Sequence, residues 1–444
     1  MASLLIRNGT VLTNNSRKEI FAADVLVKNG RIAAFQAGAE ADHADQEIDA
    51  AGSFILPGLI QVHVHLNQTL FRGLADDMNV VDWLRKRIWP LEQAHNYESA
   101  YASARLSIAE MIRSGVTTAL TLETTRHTEA AFDAAMEMGF RAFIGNAIMD
   151  RWETGTEMVG EDTAASLERS AVLSTGYHGA GNGRIHYSYC PRGTRNATDE
   201  MWQELGRLAR EQGKLIHTHA AENREQTDRL AEYGGTEVEY LNRMGVLGDN
   251  LVVAHGIWLS EAERGLLAES GTSVAHCPSA NLKLASGFAA VPEMLAQGVN
   301  VAIGSDGAPC NNNLDIFNEM RLAALIHKPR CGPESMTALQ VFEMATRNAS
   351  KALGIEDQVG SIEVGKRADI VIVRRNALHG SPTQGSDPYG QIVYALQAHD
   401  VDTVIVDGTI LLRDGQFTQW DHLEIVSQAQ AARAQLLDRV ENFE

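Results

Sequence analysis

Cysteine is scarce in this chain, and a long apolar run is absent. The four cysteines, Cys190, Cys277, Cys310 and Cys331, are scattered with no C-x-x-C spacing. In a chain this long, such usage excludes a disulfide framework and indicates a reducing compartment. No apolar run approaches the about 20 residues that span a bilayer, and the amino terminus lacks the basic start and long apolar core of a signal peptide. We therefore expect a soluble, cytoplasmic protein.

Basic residues are also too few for an electrostatic binding surface. The formal net charge is −19, whereas partners such as nucleic acid or anionic membrane call for a basic patch. We expect neither partner, and a small-molecule substrate instead. A hydrophobic content of 44% and a charged content of 21% are those of a well-packed globular chain without long disordered segments.

Short strands are predicted at both ends of the chain. Apolar runs stop at Asn8-Gly9, Asn29-Gly30 and Asp407-Gly408, and such dipeptides between apolar runs are typical of hairpin turns. Neither end has enough strands for a core of its own. We therefore predict one small β-sandwich domain formed by residues 1–57 together with residues 360–420.

The middle of the chain, residues 58–359, alternates strand-like and helix-like segments. Eight strands, each followed by a helix over roughly 300 residues, predict an α/β fold of the TIM-type (β/α)8 barrel class. A doubly wound open sheet would normally carry an early Gly-rich phosphate turn, and the sequence has none. The Ala-, Gln- and Leu-rich segment 421–444 predicts a C-terminal helix.

The predicted strands end in polar residues at the face where such barrels hold their active sites. His63 and His65 close the first strand, and alternation along a strand points both imidazoles to one side. Later strands end at His219, His255 and Asp306. Neutral imidazole is the usual ligand of divalent transition metals. So many polar strand ends at one rim indicate a metal-dependent site.

Two further strand-end histidines are harder to assign. His217 alternates with His219, so it faces the opposite side or stands behind the ligands, and we leave it out of the ligand set. His276 ends the seventh strand before Cys277-Pro278. For His276 the roles of metal ligand, substrate contact and structural cap all stay open.

Six motifs define a resemblance that covers nearly the whole chain. They are His63-Val64-His65, His219 with Glu222, Ala254-His255-Gly256, the run from His276 to Gly287, Gly304-Ser305-Asp306-Gly307, and Gly360-Ser361-Ile362 continuing to Asp369. Together these motifs resemble the amidohydrolase superfamily. More narrowly, the chain is similar to its branch of mononuclear-metal aminohydrolases, which act on purines, purine nucleosides and s-triazines.

The resemblance implies that one divalent metal ion, usually zinc and sometimes iron, is bound by His63, His65, His219 and Asp306. Strand four ends in Tyr189-Cys190-Pro191 without a lysine that could be carboxylated, which favours one metal over two. The absence of H-x-E with P-C-x-x-C excludes a cytidine-deaminase type of zinc site.

The implied reaction is hydrolytic deamination. A metal lowers the pKa of its bound water to about 7, so hydroxide is available at neutral pH to attack an amidine carbon and release ammonia. Asp306 accepts the proton of the water, and His255 orients the hydroxide. Glu222, one helical turn past His219, protonates a ring nitrogen of the substrate.

The loops indicate the substrate. Residues 66–77 and the segment around Trp83 are similar to the members that deaminate S-adenosylhomocysteine, 5′-methylthioadenosine and 5′-deoxyadenosine. In those enzymes an acid grips the ribose hydroxyls, and Glu92 matches its position. A carboxylate can accept a hydrogen bond from each hydroxyl of a diol. A solvated acid at a helix start is the alternative interpretation of Glu92.

Arg192 departs from the nucleoside deaminases, which usually carry histidine there. A Pro-Arg at this place resembles guanine deaminases and some 5′-deoxyadenosine deaminases, and the guanidinium can donate to a purine or to a carboxylate. The segment 177–185 also resembles the triazine hydrolases.

We therefore predict a metal-dependent deaminase of a purine-type substrate, above all a 5′-modified adenine nucleoside. A guanine-type base or an s-triazine is the alternative. A ring-opening amidase would need two metals and a lysine on strand four, and a non-enzymatic barrel would show broken ligands. Since barrels of this family are often dimers or tetramers, we expect a homo-oligomer.

Overall fold

The computed structural model describes residues 3–36, 44–151, 159–224 and 235–441. These residues fall into two compact units. The first unit contains Met1–Gln61, Ala109–Thr118 and Asp315–Asp421, and the second contains Val62–Ile108, Ala119–Leu314 and His422–Glu444. The domain boundaries proposed from the sequence stay a prediction, because compactness does not test which segments fold together.

The strands follow the apolar runs of the sequence. In chain order they are β1 (Leu4–Leu12), β2 (Ile20–Lys28), β3 (Arg31–Gln36), β4 (Gln46–Asp49), β5 (Ser53–Pro57), β6 (Leu59–His65), β7 (Val116–Glu123), β8 (Arg141–Ile148), β9 (Ile185–Tyr187), β10 (Cys190–Pro191), β11 (Ile216–Ala220), β12 (Leu251–His255), β13 (Ser273–His276), β14 (Asn300–Ile303), β15 (Asp306–Gly307), β16 (Ile370–Arg374), β17 (Val401–Val406), β18 (Thr409–Arg413) and β19 (Gln416–Phe417).

The α-helices lie mostly between the strands of the middle segment. They are Val80–Trp83, Trp89–Gln93, Tyr97–Arg113, Glu129–Glu137, Thr163–Tyr177, Ala180–Gly183, Asp199–Gln212, Glu237–Arg243, Glu261–Ser270, Pro278–Lys283, Val291–Ala296, Ala308–Asn311, Ile316–Ile326, Lys328–Cys331, Ala338–Met344, Arg347–Ala352, Pro388–Gly390 and His422–Glu441. Shorter 3-10 or π turns are Leu66–Phe71, Leu84–Ile88, Leu378–Gly380, Gln391–Ala395 and Ala398–Asp400. Within the described residues, none of the helices combines the length and apolar character that crossing a membrane requires.

Both ends of the chain contribute to one nine-stranded sheet in the first unit. Its order is β19-β18-β17-β16-β5-β1-β2-β3, with β4 paired to β1. The two ends meet at β5, which pairs parallel with β1 and antiparallel with β16. Side chains such as Ile55, Ile370 and Ile405 form a buried apolar cluster on this sheet, and this burial is the main stabilising term for its fold.

Two of the three predicted hairpin turns are correct, and one is wrong. Asn29-Gly30 joins β2 to β3 and Asp407-Gly408 joins β17 to β18, with positive φ at all four residues, as a tight turn of this type requires. Asn8-Gly9, by contrast, lies inside β1. The register of β1 against β2 shifts between Ile6 and Gly9, so this dipeptide forms a bulge.

The strands of the middle segment form two sheets, ordered β10-β8-β7-β6-β15 (with β9 on β8) and β11-β12-β13-β14. The pairings of β8 with β9 and β10, of β15 with β6 and along β11 to β14 are parallel. Isolated parallel bridges join Tyr189 to Ile216 and Gly193 to His219. In parallel strands the carboxyl ends share one edge, which brings their terminal residues together.

Two strands that the sequence predicts as continuous are broken. The predicted strand 184–189 divides after β9, because Tyr189 forms its backbone hydrogen bonds with Leu215 and His217. The predicted strand 301–305 stops at Ile303, and the chain pairs again only at β15, this time with β6. The second break carries Asp306 across to the strand that ends in His63 and His65.

The close packing of β8 against the segment 188–190 can be tested by a substitution at Gly145. A Cβ there would overlap the carbonyl oxygen of Ser188 and the sulfur of Cys190, so we expect Gly145→Ala to destabilise the protein by about 1–3 kcal/mol through overpacking. The matched control is Gly176→Ala on an exposed helical site with no neighbour within 4 Å, where alanine raises helix propensity. Thermal unfolding midpoints check both, and equal midpoints would contradict the packing model.

Candidate active site

Four side chains from three strands, β6, β11 and β15, converge within the second unit. His63 Nε2 and His65 Nε2 lie 3.3 and 3.2 Å from Asp306 Oδ1, and His65 Nε2 lies 3.3 Å from His219 Nε2. A tetrahedral site with bonds of roughly 2.1 Å places its ligand atoms about 3.4 Å apart. Three of the six distances among the predicted ligand atoms therefore match those of a tetrahedral site, and His63, His65 and His219 form one group of possible metal ligands while Asp306 groups with His63 and His255.

Each imidazole is turned toward this point by a bond on its other nitrogen. His65 Nδ1 bonds the Leu122 carbonyl, and His219 Nδ1 bonds the Arg192 carbonyl at 2.5 Å. His63 Nδ1 bonds His217 Nε2 at 2.8 Å. Such partners fix the ring orientation and tautomer of a metal-ligating histidine. His217, left out of the ligand set, thus stands behind His63 and orients it.

The electrostatics of the cluster also suit a cation. His63 Nε2 is buried and has no hydrogen-bond partner among the described residues, which is the state of a ligand nitrogen. Burial lowers the pKa of His63 to about 4 and that of His219 well below its ordinary value. Burial also lowers the pKa of His65, but Asp306 more than offsets this and the net pKa is raised. Burial opposes ionisation of Asp306, yet His63 and His65 hold its pKa well below the usual range.

The backbone at the rim is strained at functional positions. Ala221, His255 and Asp306 have φ values of 52°, 74° and 63°, in the left-handed region that costs a residue with a Cβ about 1–3 kcal/mol. Ala221 directly follows β11, His255 ends β12, and Asp306 begins β15. The surrounding hydrogen bonds hold the side chains of the rim in directions that a relaxed strand would not give.

Glu222 lies at the edge of the cluster, facing His255. Its Oε2 is 3.8 Å from His255 Nε2, which is in turn 3.9 Å from Asp306 Oδ2. Asn281 orients His255 by a 2.9 Å bond to Nδ1. Burial raises the pKa of Glu222, so this carboxyl keeps a proton at higher pH than an exposed glutamate does. A half-buried acid with a raised pKa is suited to general acid catalysis.

A cavity opens onto these groups, with one polar and one apolar wall. The polar wall includes His65, Arg192, His219, Glu222, His255 and Asp306. The apolar wall consists of Val80, Val81, Trp83, Leu84, Trp89 and Leu284. Trp83, a predicted substrate contact, therefore lies in the cavity. His276 is buried at the end of β13 and is not among the described residues that line the cavity. Its contact with substrate stays a prediction.

Glu92 and Arg192, two predicted substrate contacts, are bonded to each other. Arg192 Nη1 and Nη2 donate to Glu92 Oε2 and Oε1 at 2.7 and 3.1 Å, and Gln68 Nε2 donates to Oε1 at 2.8 Å. The side chains of the ion pair are 7% and 5% exposed, so the solvated alternative for Glu92 is wrong. A carboxylate offers about four acceptor positions. Three are taken by these bonds, and Glu92 itself is not among the described residues that line the cavity.

Sequence reasoning overlooked several residues that support the site. Glu123 at the end of β7 accepts from the N–H groups of Leu66 and Asn67 at 3.0 and 2.8 Å, and so anchors the turn that follows His65. Burial raises its pKa. Asn281 and Gln68 orient His255 and Glu92. The available signal for Glu123 was its place as a polar residue at the end of β7. Asn281 in the helix Pro278–Lys283 and Gln68 in the turn Leu66–Phe71 do not end a strand and gave no such signal.

The residues 54–411 match the model of the amidohydrolase family. A 5′-deoxyadenosine deaminase of Methanosarcina mazei is 37% identical over 448 residues, covering 99% of this chain and 100% of that protein. A 5-methylthioadenosine/S-adenosylhomocysteine deaminase of Moorella thermoacetica is 40% identical over 387 residues, covering 87% and 88%. The crystal structure of an adenosine deaminase from Xanthomonas campestris with bound zinc superposes with a TM-score of 0.91 at 32% identity, covering 98% of each chain.

The chain belongs to the amidohydrolase family and has its TIM-type barrel fold of the α/β class. The resemblance inferred from the six motifs is confirmed. The enzyme class is confirmed as well, a hydrolase acting on carbon–nitrogen bonds, since deaminases are among its full-length relatives.

Gly304 allows a direct test of the metal cluster. A Cβ at this position would lie 2.7 Å from the carbonyl oxygen and 2.8 Å from the Cβ of His63, so Gly304→Ala must displace the backbone of a predicted ligand. We expect metal affinity to fall by about 10- to 100-fold, as when groups that orient a ligand are lost. Metal content after dialysis against a chelator measures this.

Gly265→Ala is the control for the metal measurement, because Gly265 lies on the helix Glu261–Ser270 with no atom within 4 Å. Equal metal retention in the two variants would show that Gly304 does not position His63.

Proposed function

We propose that the protein is a metal-dependent hydrolytic deaminase of 5′-modified adenine nucleosides. The observation that carries the proposal is Glu222, a half-buried carboxyl with a raised pKa that faces His255 beside the His and Asp cluster. The full-length relatives named as deaminases of 5′-deoxyadenosine and of 5-methylthioadenosine/S-adenosylhomocysteine support the substrate class.

We propose a single divalent cation, zinc by preference and iron as the alternative, held by His63, His65, His219 and Asp306. The zinc bound in the Xanthomonas campestris relative supports this choice, and three imidazoles with a carboxylate are a donor set that zinc accepts. When bound, such a cation supplies an activated water at neutral pH.

The residues of the chain then handle the protons. The low pKa of Asp306 keeps its carboxylate ionised and able to accept a proton. His255, held by Asn281 at 2.9 Å, donates or accepts a hydrogen bond at the reacting oxygen. Glu222 delivers its proton to a ring nitrogen, which makes the adjacent amino-bearing carbon electrophilic. Ammonia leaves after the proton that Asp306 accepts from the water reaches the amino group, while the ring nitrogen keeps the proton from Glu222.

The cavity walls support a nucleoside with an apolar 5′ group. Trp83, Trp89 and Leu284 offer apolar surface, and burial of a methyl or methylthio group there is favourable. The remaining acceptor position on Glu92 suits a ribose hydroxyl, and Arg192 presents its guanidinium to the cavity. Arg192 also supports the alternative, a guanine-type base or an s-triazine deaminated or hydrolysed by the same chemistry.

Further proposals concern the architecture and the setting of the enzyme. The two bridges at Ile216 and His219, together with the pairing of β15 with β6, support a closed (β/α)8 barrel over residues 58–359. The shared nine-stranded sheet supports a β-sandwich formed by residues 1–57 and 360–420. A cytoplasmic location, a homo-oligomer and the absence of nucleic-acid or membrane partners are proposals that rest on the sequence.

Replacing Glu222 tests the mechanism. Glu222→Gln keeps the shape and removes the acidic proton, so we expect kcat to fall about 10²- to 10⁴-fold. Metal content should be unchanged, because Glu222 is not one of the four proposed ligands. Ammonia release from 5′-deoxyadenosine with metal analysis on the same sample is the measurement. Normal turnover by this variant would rule out the assigned role.

Replacing Glu92 tests the substrate class. The panel contains 5′-deoxyadenosine, 5′-methylthioadenosine, S-adenosylhomocysteine, adenosine, guanine, and an amino- and a chloro-triazine. A charge-assisted hydrogen bond contributes roughly 1.5–3 kcal/mol, so Glu92→Gln should lower kcat/KM for the nucleosides about 10- to 100-fold. If the unmodified enzyme acts only on guanine or a triazine, Arg192 and not Glu92 determines the substrate specificity, and the nucleoside assignment is contradicted.

A further inference from the structure

Glu237 is a buried carboxylate in the cavity wall that the mechanism above does not use. It is 5% exposed and begins the helix Glu237–Arg243. The start of this helix is already capped, because Thr236 and Glu239 form a reciprocal capping box. The side chain of Glu237 instead accepts a hydrogen bond from the backbone N–H of Ala221. Burying a carboxylate costs free energy, and helix capping does not explain why Glu237 is buried here. A different role for its hydrogen bond to Ala221 is therefore needed.

Ala221 connects the end of β11 to Glu222 in an unfavourable backbone conformation. Its φ of 52° lies in the left-handed region, which costs an alanine about 1–2 kcal/mol. Its carbonyl accepts from the N–H groups of Ile257 and Trp258 at 2.9 and 3.0 Å. The N–H of Ala221 is held from the other side by Glu237. Hydrogen bonds to the two peptide groups that flank the Ala221 Cα thus hold the strained turn.

The turn at Ala221 decides where Glu222 points. Glu222 is the next residue, and its carboxylate lies 3.8 Å from His255 at the reacting centre. A relaxed, right-handed φ at Ala221 would rotate the following peptide and carry this carboxylate elsewhere. Catalysis by a proton donor depends on placement, since errors of about 1 Å can cost roughly 10²-fold in rate.

We propose that Glu237 is a positioning residue, which holds Ala221 in its left-handed conformation and thereby aims Glu222 at the substrate. The inference rests on the proposed role of Glu222. Burial raises the pKa of Glu237 to about 7, and the hydrogen bond from Ala221 acts in the opposite direction and lowers it. Either an ionised or a neutral carboxyl oxygen can accept this bond.

The experiment compares Glu237→Leu, which removes the acceptor, with Glu237→Gln, which keeps an acceptor oxygen. We expect kcat on 5′-deoxyadenosine to fall about 10- to 100-fold in the leucine variant, with KM and metal content close to those of the unmodified enzyme. The glutamine variant should retain most of the rate. Glu237→Ala serves the same comparison if the leucine variant does not fold.

Two further variants separate positioning from general damage to the fold. Glu239→Ala breaks the capping box of the same helix without touching Ala221, and should leave kcat near that of the unmodified enzyme. Adding Ala221→Gly to Glu237→Leu should restore part of kcat, because glycine adopts positive φ without the steric cost of a Cβ. A merely structural role for Glu237 would not produce this recovery.

Three results would overturn the inference: normal kcat in Glu237→Leu, an equal loss of kcat in Glu239→Ala, or a loss of kcat in the glutamine variant as large as in the leucine variant. These outcomes are distinct from failure of the proposed function. If Glu222→Gln is inactive while Glu237→Leu is normal, only the positioning role is wrong. If Glu222→Gln is active, the role of Glu222 itself is wrong, and the positioning role falls with it.

Discussion

The structure of the catalytic unit depends on one constraint, the burial of the Asp306 carboxylate among three imidazoles. A buried carboxylate is tolerated only when charges or hydrogen bonds compensate the lost hydration. His63 and His65 supply that compensation at 3.3 and 3.2 Å. To reach them the chain breaks its strand at Gly304 and pairs again with β6. Position 304 admits only glycine without displacing His63, because a Cβ would meet the His63 backbone.

Hydrogen bonds behind the cluster orient its imidazoles. His217, Asn281 and two backbone carbonyls bond the Nδ1 atoms of the four histidines, so that Nε2 of each ring is turned toward the cluster. The left-handed conformations of His255 and Asp306 are stable only because the surrounding structure over-determines them. His255, at the end of β12, therefore combines a strained backbone with a side chain that a hydrogen bond holds in place.

The ion pair between Glu92 and Arg192 limits the hydrogen bonds that either side chain can still form. Considered singly, Glu92 suits a diol and Arg192 suits a purine oxygen or a carboxylate. As a buried ion pair with Gln68, they leave Glu92 one open acceptor position. Each charge of the pair compensates the other when no ligand is bound. An isolated buried charge would have no such compensation. The Glu92 carboxylate is thus held in one orientation by Arg192 and Gln68.

Local geometry was enough to predict the fold class and the set of polar strand ends from the sequence, because strand side chains alternate and parallel strands share one edge. His63, His65, His219, His255 and Asp306 were predicted in this way, whereas the family and the role of Glu222 came from the resemblance of the motifs. The sequence could not separate the bulge at Asn8-Gly9 from a hairpin, since both use a residue with positive φ. Only the tertiary structure decided that His217 backs His63, that Glu92 pairs with Arg192, and that Glu237 reaches Ala221. Those contacts join residues distant in the chain, and their partners are set by packing that no local pattern encodes.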